Sequence, residues 1–416
     1  MVRVAVIGAG ISGLSIASML GQKASVVLYE ADSRPGGLVK CSSVDGVLYH
    51  RVGGHVFNSR RQDVLDWFWQ FFDREKCFTK AVRHAVVALP QSGFVDYPIE
   101  NHLYQMPERL QEAVLDDLLN IVTKGYNKAE NFDDFLRARF GDTLYRCYFA
   151  PYNRKIWRRP LTDVPLAWLE GKLPMPTVKE ILQANISQTK EMNMVHSSFW
   201  YPQNGGSQFL ADTLAKNLDV RYNSPVEHIE YKGEKWLVDG ELYDYVIYTG
   251  NVQRIPTLLE NQVNLALYTE EIAQLEYHGT TSVLCEIDAN PYSWIYMPDE
   301  AHSSHRIICT GNFSPNNDAA VEGKTTATIE FSEPMSRQQI EEQLARIPLA
   351  PRYLAHHYEA YTYPLQTLAT KPLIAALKKE LEPKHFYLLG RFAEWEYYNM
   401  DAAIGAALDL NERIQL

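Results

Sequence analysis

Three glycines within six residues constrain this chain more than any other feature. Gly8-Ala9-Gly10-Ile11-Ser12-Gly13 follows a β-rich stretch, Val2 to Ile7, and precedes the helix-like LSIASMLGQ. A second buried strand, ASVVLYE, ends in Glu30. In a strand–turn–helix–strand unit, Gly8 permits the tight turn, Gly10 lets backbone approach a pyrophosphate, and Gly13 lets helix and strand pack closely. The helix N-terminus turns unpaired N–H groups and a positive dipole end toward phosphates. Glu30 stands where a carboxylate accepts hydrogen bonds from ribose hydroxyls. The unit predicts a Rossmann-type α/β domain that holds a dinucleotide. The same residues also look like a secretory leader, with Arg3 ahead of an apolar run. The glycine spacing accounts for them better, and export is not expected.

The fingerprint alone does not separate one dinucleotide from another. The following EADSRPGGLVKCSS carries Arg34 and then Gly36-Gly37. This is similar to the arginine-plus-double-glycine loop of FAD proteins of the glutathione-reductase and amine-oxidase type. Glycines there let N–H groups come close to pyrophosphate and isoalloxazine, where a side chain would collide. The implied cofactor is FAD. A net charge of -11 over 416 residues argues against nucleic acid or a membrane surface as the main partner. It leaves room for an anionic small molecule gathered by a few arginines. Five scattered cysteines, without C-x-x-C, suggest neither a disulfide framework nor zinc, and a cytoplasmic setting is expected. No apolar run reaches the ~18 residues of a membrane helix. No Ser-His-Asp set, metal-spaced cluster or P-loop is present.

Along the chain, DVLDWFWQFF (63–72) reads as an aromatic-rich helix that supplies core. PERLQEAVLDDLLNIVTKG reads as a helix from Pro107 to Gly125, with Leu110, Val114, Leu118 and Val122 on one face. NFDDFLRARFG reads as another, capped by Asn131 and ended by Gly141. Short strands follow near 219–248, and strands mix with turns over 256–382. The expected fold is a Rossmann-type FAD-binding domain with a helical insert and a second, largely antiparallel β-sheet domain. The FAD-binding domain is expected to be discontinuous, over 1–80, 196–255 and 383–416. The helical domain takes 103–195, and the second sheet takes 81–102 and 256–382.

Seven ordered segments then resemble the UDP-galactopyranose mutase family, closer to its eukaryotic-type pattern. They are VGGHVFNS, VDYPIENHLYQMP, NFDDFLRARFG, APYNRKIWRRPLTDVPLAWLEGK, YPQNGGSQFLADTLA, WIYMPDEAHSSHRIICTGNFSP and GRFAEWEYYNMDAAIGAAL. The resemblance implies interconversion of the pyranose and furanose forms of UDP-galactose or a related nucleotide sugar. It also implies that reduced FAD is the active form and forms a sugar adduct at flavin N5, with NAD(P)H as a possible external reductant. Gly53, Gly54 and His55 match the loop against the isoalloxazine. Gly390 and Arg391 match the C-terminal FAD motif, with Asn399 and Met400 beside the ring and Val226 near the adenine. Arg306 matches a diphosphate-binding arginine, read here as exposed. Tyr296, Tyr363 and Tyr397 match tyrosines around the diphosphate, and Tyr97, Asn153 and Trp157 match the uracil end. Two positions depart from the pattern. Lys172 replaces the second diphosphate arginine, keeping the charge without the bidentate fork. Glu100 replaces a glutamine and, when ionised, has no donor for a base carbonyl, so the nucleotide stays open. The alternatives are a flavin oxidase or desaturase of the amine-oxidase or protoporphyrinogen-oxidase kind, and a flavin-stabilised binding protein without turnover. The oligomeric state is not legible.

Overall fold

The computed structural model describes residues 1–124, 129–166, 176–188, 197–259, 265, 267–318, 322–414 and 416. The N-terminal unit is built as the glycines require: β1 (Arg3–Ile7), α1 (Ile11–Leu20) and β2 (Ser25–Tyr29). β1 lies at the centre of a five-stranded parallel sheet, between β2 and Tyr245–Tyr248. Asp219–Arg221 and Phe386–Leu388 form the two edges. Parallel strands are covered on both faces, and Val4, Ala5 and Val6 are fully buried. One face packs Leu14 and Ala17 of α1 with Ile404 and Ala407 of the C-terminal helix Met400–Arg413. The other packs Tyr248, Trp236, Leu377 and Phe386.

The second sheet has seven strands, in the order Arg352–Pro364, Tyr277–Asp288, Lys324–Phe331, Arg306–Ile308, Trp294–Tyr296, Ala85–Leu89 and Gly93–Asp96. Every neighbouring pair is antiparallel except Trp294–Tyr296 with Ala85–Leu89, which run parallel. Side chains alternate between faces along each strand. Val283, Ile329, Ile307, Ile295 and Val86 therefore stand in one transverse row, and all are buried in a common core. The next row, one residue along each strand, faces the opposite way and carries the polar groups described below.

The helical insert contains Glu108–Lys124, Phe132–Leu144, Ala150–Trp157 and Val178–Ser187. Asn131 caps its helix by accepting from the Asp134 N–H, at 3.0 Å. Gly141 breaks the same helix at φ +80, and a Cβ there would sit 2.4 Å from Cβ of Asp117. Two expectations change. Val114 and Leu118 are fully buried, but Val122 is 63% exposed. Steps of four residues drift by ~40° each around a helix of 3.6 residues per turn, so the fourth position has left the buried stripe. The aromatic helix is Gln62–Phe68, not 63–72. Beyond it the chain turns so that Trp69 packs edge-on against Phe78 and Trp200, at 5.1 and 5.6 Å. No helix among the described residues is long and apolar enough to cross a membrane.

Candidate active site

Two loops meet over the C-terminal end of β1. Gly10 and Gly36 form a β-bridge, bringing the first glycine turn against the double-glycine loop of Gly36 and Gly37. Gly13 is the tight point: a Cβ there would lie 1.9 Å from the carbonyl oxygen of Gly8, which only glycine avoids. Nothing lies within 4 Å of a Cβ built on Gly10. α1 starts there without a side-chain cap or an acidic residue in its first turn, so its N–H groups stay available to an anion. Glu30 is buried below, accepting from the N–H of Ala9 at 2.8 Å and of Asp32 at 2.9 Å. Gly390 stands beside the same helix, its would-be Cβ 2.6 Å from Oγ of Ser12. An uncapped helix start, an open glycine and a buried carboxylate are the donor and acceptor set that a dinucleotide requires.

The second cluster grows from the polar row of the seven-stranded sheet. His357, Ser282, Glu330, Arg306 and Tyr296 are successive cross-strand partners and share one face. Arg306 pairs with Glu330 through Nε, and its Nη2 donates to the Tyr363 hydroxyl at 3.0 Å. His305 lies 3.4 Å from the same carboxylate. Burial would raise the Glu330 carboxyl, but Arg306 and His305 outweigh it and hold it down to about 2. Arg306 is thus not the exposed guanidinium expected: its side chain is 22% exposed, in a buried ion pair that keeps it charged. Arg83 donates to the Tyr296 hydroxyl, and the Tyr296 and Tyr97 rings meet tilted at 4.8 Å. Tyr363 and Tyr397 are parallel at 5.6 Å, with Arg391 over the Tyr397 ring at 4.8 Å.

The loop Gly53–His55 spans the two clusters. The Gly53 N–H donates to Ser282 Oγ at 3.3 Å, and a Cβ on Gly54 would meet Ile308 at 2.6 Å. His55 Nε2 is buried without a hydrogen-bond partner. Burial first, then the charge of Arg391, pull this imidazole down to about 3, so it is neutral at physiological pH. A neutral, unpartnered ring nitrogen between glycine loop and polar row suits a polar atom of a bound ring system.

Other expected positions have contacts of their own. Arg34 is half-exposed and meets Asp212 at 3.4 Å. The Val226 carbonyl accepts from Arg254 at 3.5 Å. Trp157 is buried in the core of the insert, against Phe132. Asn153 donates to the Phe149 carbonyl at 2.7 Å. Glu100 is buried, and burial together with acidic neighbours, Tyr97 and Glu100 among them, pushes the Tyr148 phenol up. Asn399 begins the C-terminal helix without a side-chain cap bond, Asp401 stands in its first turn, and Met400 is buried. Lys172 lies outside the described residues. Glu330, Ser282 and His357 belong to the row without having been expected. Only pairing register brings them together, and no local pattern announces it.

The family model for flavin containing amine oxidoreductases matches residues 11–306. The chain belongs to that family. UDP-galactopyranose mutase of Mycoplasma pneumoniae is 22% identical over 432 residues, spanning 98% of this chain and 95% of that protein. A crystal structure of reduced UDP-galactopyranose mutase superposes with a TM-score of 0.87 at 22% identity, covering 99% of this chain and 95% of that one. A putative protoporphyrinogen oxidase from Exiguobacterium superposes at 0.75 with 17% identity, covering 99% and 98%. The resemblance to UDP-galactopyranose mutases therefore runs nearly end to end in sequence and in fold, on a flavoenzyme architecture.

Proposed function

We propose that this chain is an FAD-dependent nucleotide-sugar mutase that interconverts pyranose and furanose forms of UDP-galactose or a related nucleotide sugar. The observation that carries the reading is the polar row that ends in Arg306 and Tyr296, beside the Gly53–His55 loop. An anionic leaving group needs a charged donor, and neutral phenols add donors without further charge. Arg306 offers its guanidinium, held through Nε by Glu330 and with Nη2 turned to the Tyr363 hydroxyl. Tyr296, Tyr363 and Tyr397 would surround the diphosphate, and Tyr97, Asn153, Trp157 and Glu100 would take the base end. The loops of Gly8–Gly13 and Gly36–Gly37, with Glu30, would hold FAD, and His55 would contact the isoalloxazine. When bound and reduced, by NAD(P)H or another donor, the flavin would supply a nucleophilic nitrogen toward the anomeric carbon. The protein's own part is to fix the sugar, stabilise charge on the departing diphosphate and exclude water. A carboxylate at Glu100 accepts from a base N–H but cannot serve a base carbonyl.

The test is turnover by dithionite-reduced holoenzyme on UDP-galactofuranose and a panel of other nucleotide sugars. Interconversion without stoichiometric flavin oxidation is expected. The absence of interconversion with every sugar, combined with oxygen-linked turnover of an amine or ring-saturated substrate, would place the protein among the oxidases instead.

A further inference from the structure

Lys155 lies in the helix Ala150–Trp157 of the insert, yet its ammonium is spent on the sheet. Nζ donates to three main-chain carbonyls: Met297 at 2.9 Å, Ser304 at 2.9 Å, and Asp299. All three belong to the loop 297–305, which connects Trp294–Tyr296 to Arg306–Ile308. The ends of that loop carry Tyr296 and Arg306, which are direct cross-strand partners. One turn before Lys155, Tyr152 packs edge-on against Tyr296 at 5.5 Å and lies 6.4 Å from His305. The same helix face therefore covers the hairpin and ties its loop.

An ammonium is suited to this place. It has three donors and no acceptor, and three carbonyls converge on it. Burial pulls the Lys155 ammonium down to about 8, still charged at neutral pH; Asp299 and Glu300 favour its charge, and His302 is buried and neutral. The loop has other ties, since Ser303 N–H donates to Gln343 at 2.9 Å and Arg346 reaches the Ala301 carbonyl at 3.1 Å. These come from the outer helix Arg337–Leu344 and its end, not from the insert. Further along the insert, Arg158 reaches the Ser332 carbonyl at 3.1 Å and Arg159 pairs with Glu276 at 2.6 Å. Those contacts hold the insert to the ends of other strands and do not touch the hairpin loop.

We infer that Lys155 is a positioning residue, clamping the 297–305 loop so that Tyr296 and Arg306 face the diphosphate of the substrate in a fixed register with the insert. This rests on the nucleotide-sugar reading for the identity of the ligand, but not for the clamp itself. Without the ammonium, three carbonyls lose their donor and the loop must shift to find water.

The test uses FAD-loaded protein, Lys155→Met, and two readouts: UDP affinity by calorimetry, and hydrogen exchange at residues 297–305. The variant is expected to keep its flavin and to bind UDP about tenfold or more weakly, the size expected when a binding group loses its fixed position. Loop amides should exchange faster than in the wild type. UDP affinity within twofold of wild type with unchanged loop exchange would overturn the clamp. Should the wild-type protein not bind UDP at all, the uridine form of the functional reading fails. The exchange arm alone then decides the clamp, faster exchange upholding it and unchanged exchange overturning it. Should Lys155→Met not fold, Lys155→Gln is measured against the same outcomes, since its amide serves only some of the carbonyls. A variant that merely loosened the fold would lose flavin as well as UDP; loss of both together, with exchange raised throughout the chain, overturns the assignment.

Discussion

The two halves of the site are built in different ways. The dinucleotide half is local: Gly8 and Gly10 sit in one turn, Gly13 lies in the first turn of α1, and Glu30 follows the next strand. Its chemistry is mostly backbone, and its residues are defined by what they lack. The substrate half is assembled from five strands between Tyr277 and Pro364, and its polar row exists only because the strands pair in one register. A backbone site depends on single positions that tolerate no side chain. A row of side chains depends on charge balance among partners far apart in the sequence.

Four predictions bear on that contrast, beginning with the largest effect. Gly13→Val should abolish flavin retention, because even its Cβ would overlap the Gly8 carbonyl. The ratio of flavin to protein absorbance after purification measures this, and a yellow, fully loaded variant would break the backbone account. Glu330→Gln should destabilise the fold by ~3 kcal/mol in urea unfolding, because it leaves the partly buried Arg306 without its counter-charge. A change below about 0.5 kcal/mol would mean that the row is not held by charge balance.

The third prediction concerns acid. Burial pulls His50, His278 and His302 down to about 4, and His55 to about 3. Unfolded, these imidazoles titrate near 6.5. Between those values the unfolded chain takes up protons that the folded one refuses. Stability is therefore full above pH 6.5 and falls as pH drops toward 4, by up to ~1.4 kcal/mol per pH unit for each histidine. Urea midpoints at stepped pH should show this, and His50→Gln should make the decline shallower. The smallest effect is expected at Val122→Gln. This position is exposed, and stability should stay within ~0.5 kcal/mol.

Legibility in the sequence follows the same division. The parallel sheet, the glycine loops and the helix cap at Asn131 were readable, because turn chemistry and capping act over a few residues. Arg306 was readable as a position but not as half of an ion pair. Its partner Glu330 is 24 residues away, and only the ladder between Arg306–Ile308 and Lys324–Phe331 sets them side by side. Val122 was misplaced because a repeat of four residues imitates a helical stripe for two turns and then drifts off it. Lys155 looked like one basic residue among several in RKIWRR. Its role depends on carbonyls about 145 residues further on.

The single parallel pairing in the seven-stranded sheet has a consequence for biosynthesis. Among the described residues, Ala85–Leu89 and its hairpin partner Gly93–Asp96 are joined to the rest of the sheet only through Trp294–Tyr296. Roughly 200 residues separate the two sides of that seam, so at 5–20 residues per second the ribosome needs on the order of 10–40 s to deliver the second side. For that interval the apolar AVVAL strand emerges with an open edge, a template for pairing with another nascent chain. The insert has time to fold before the sheet closes.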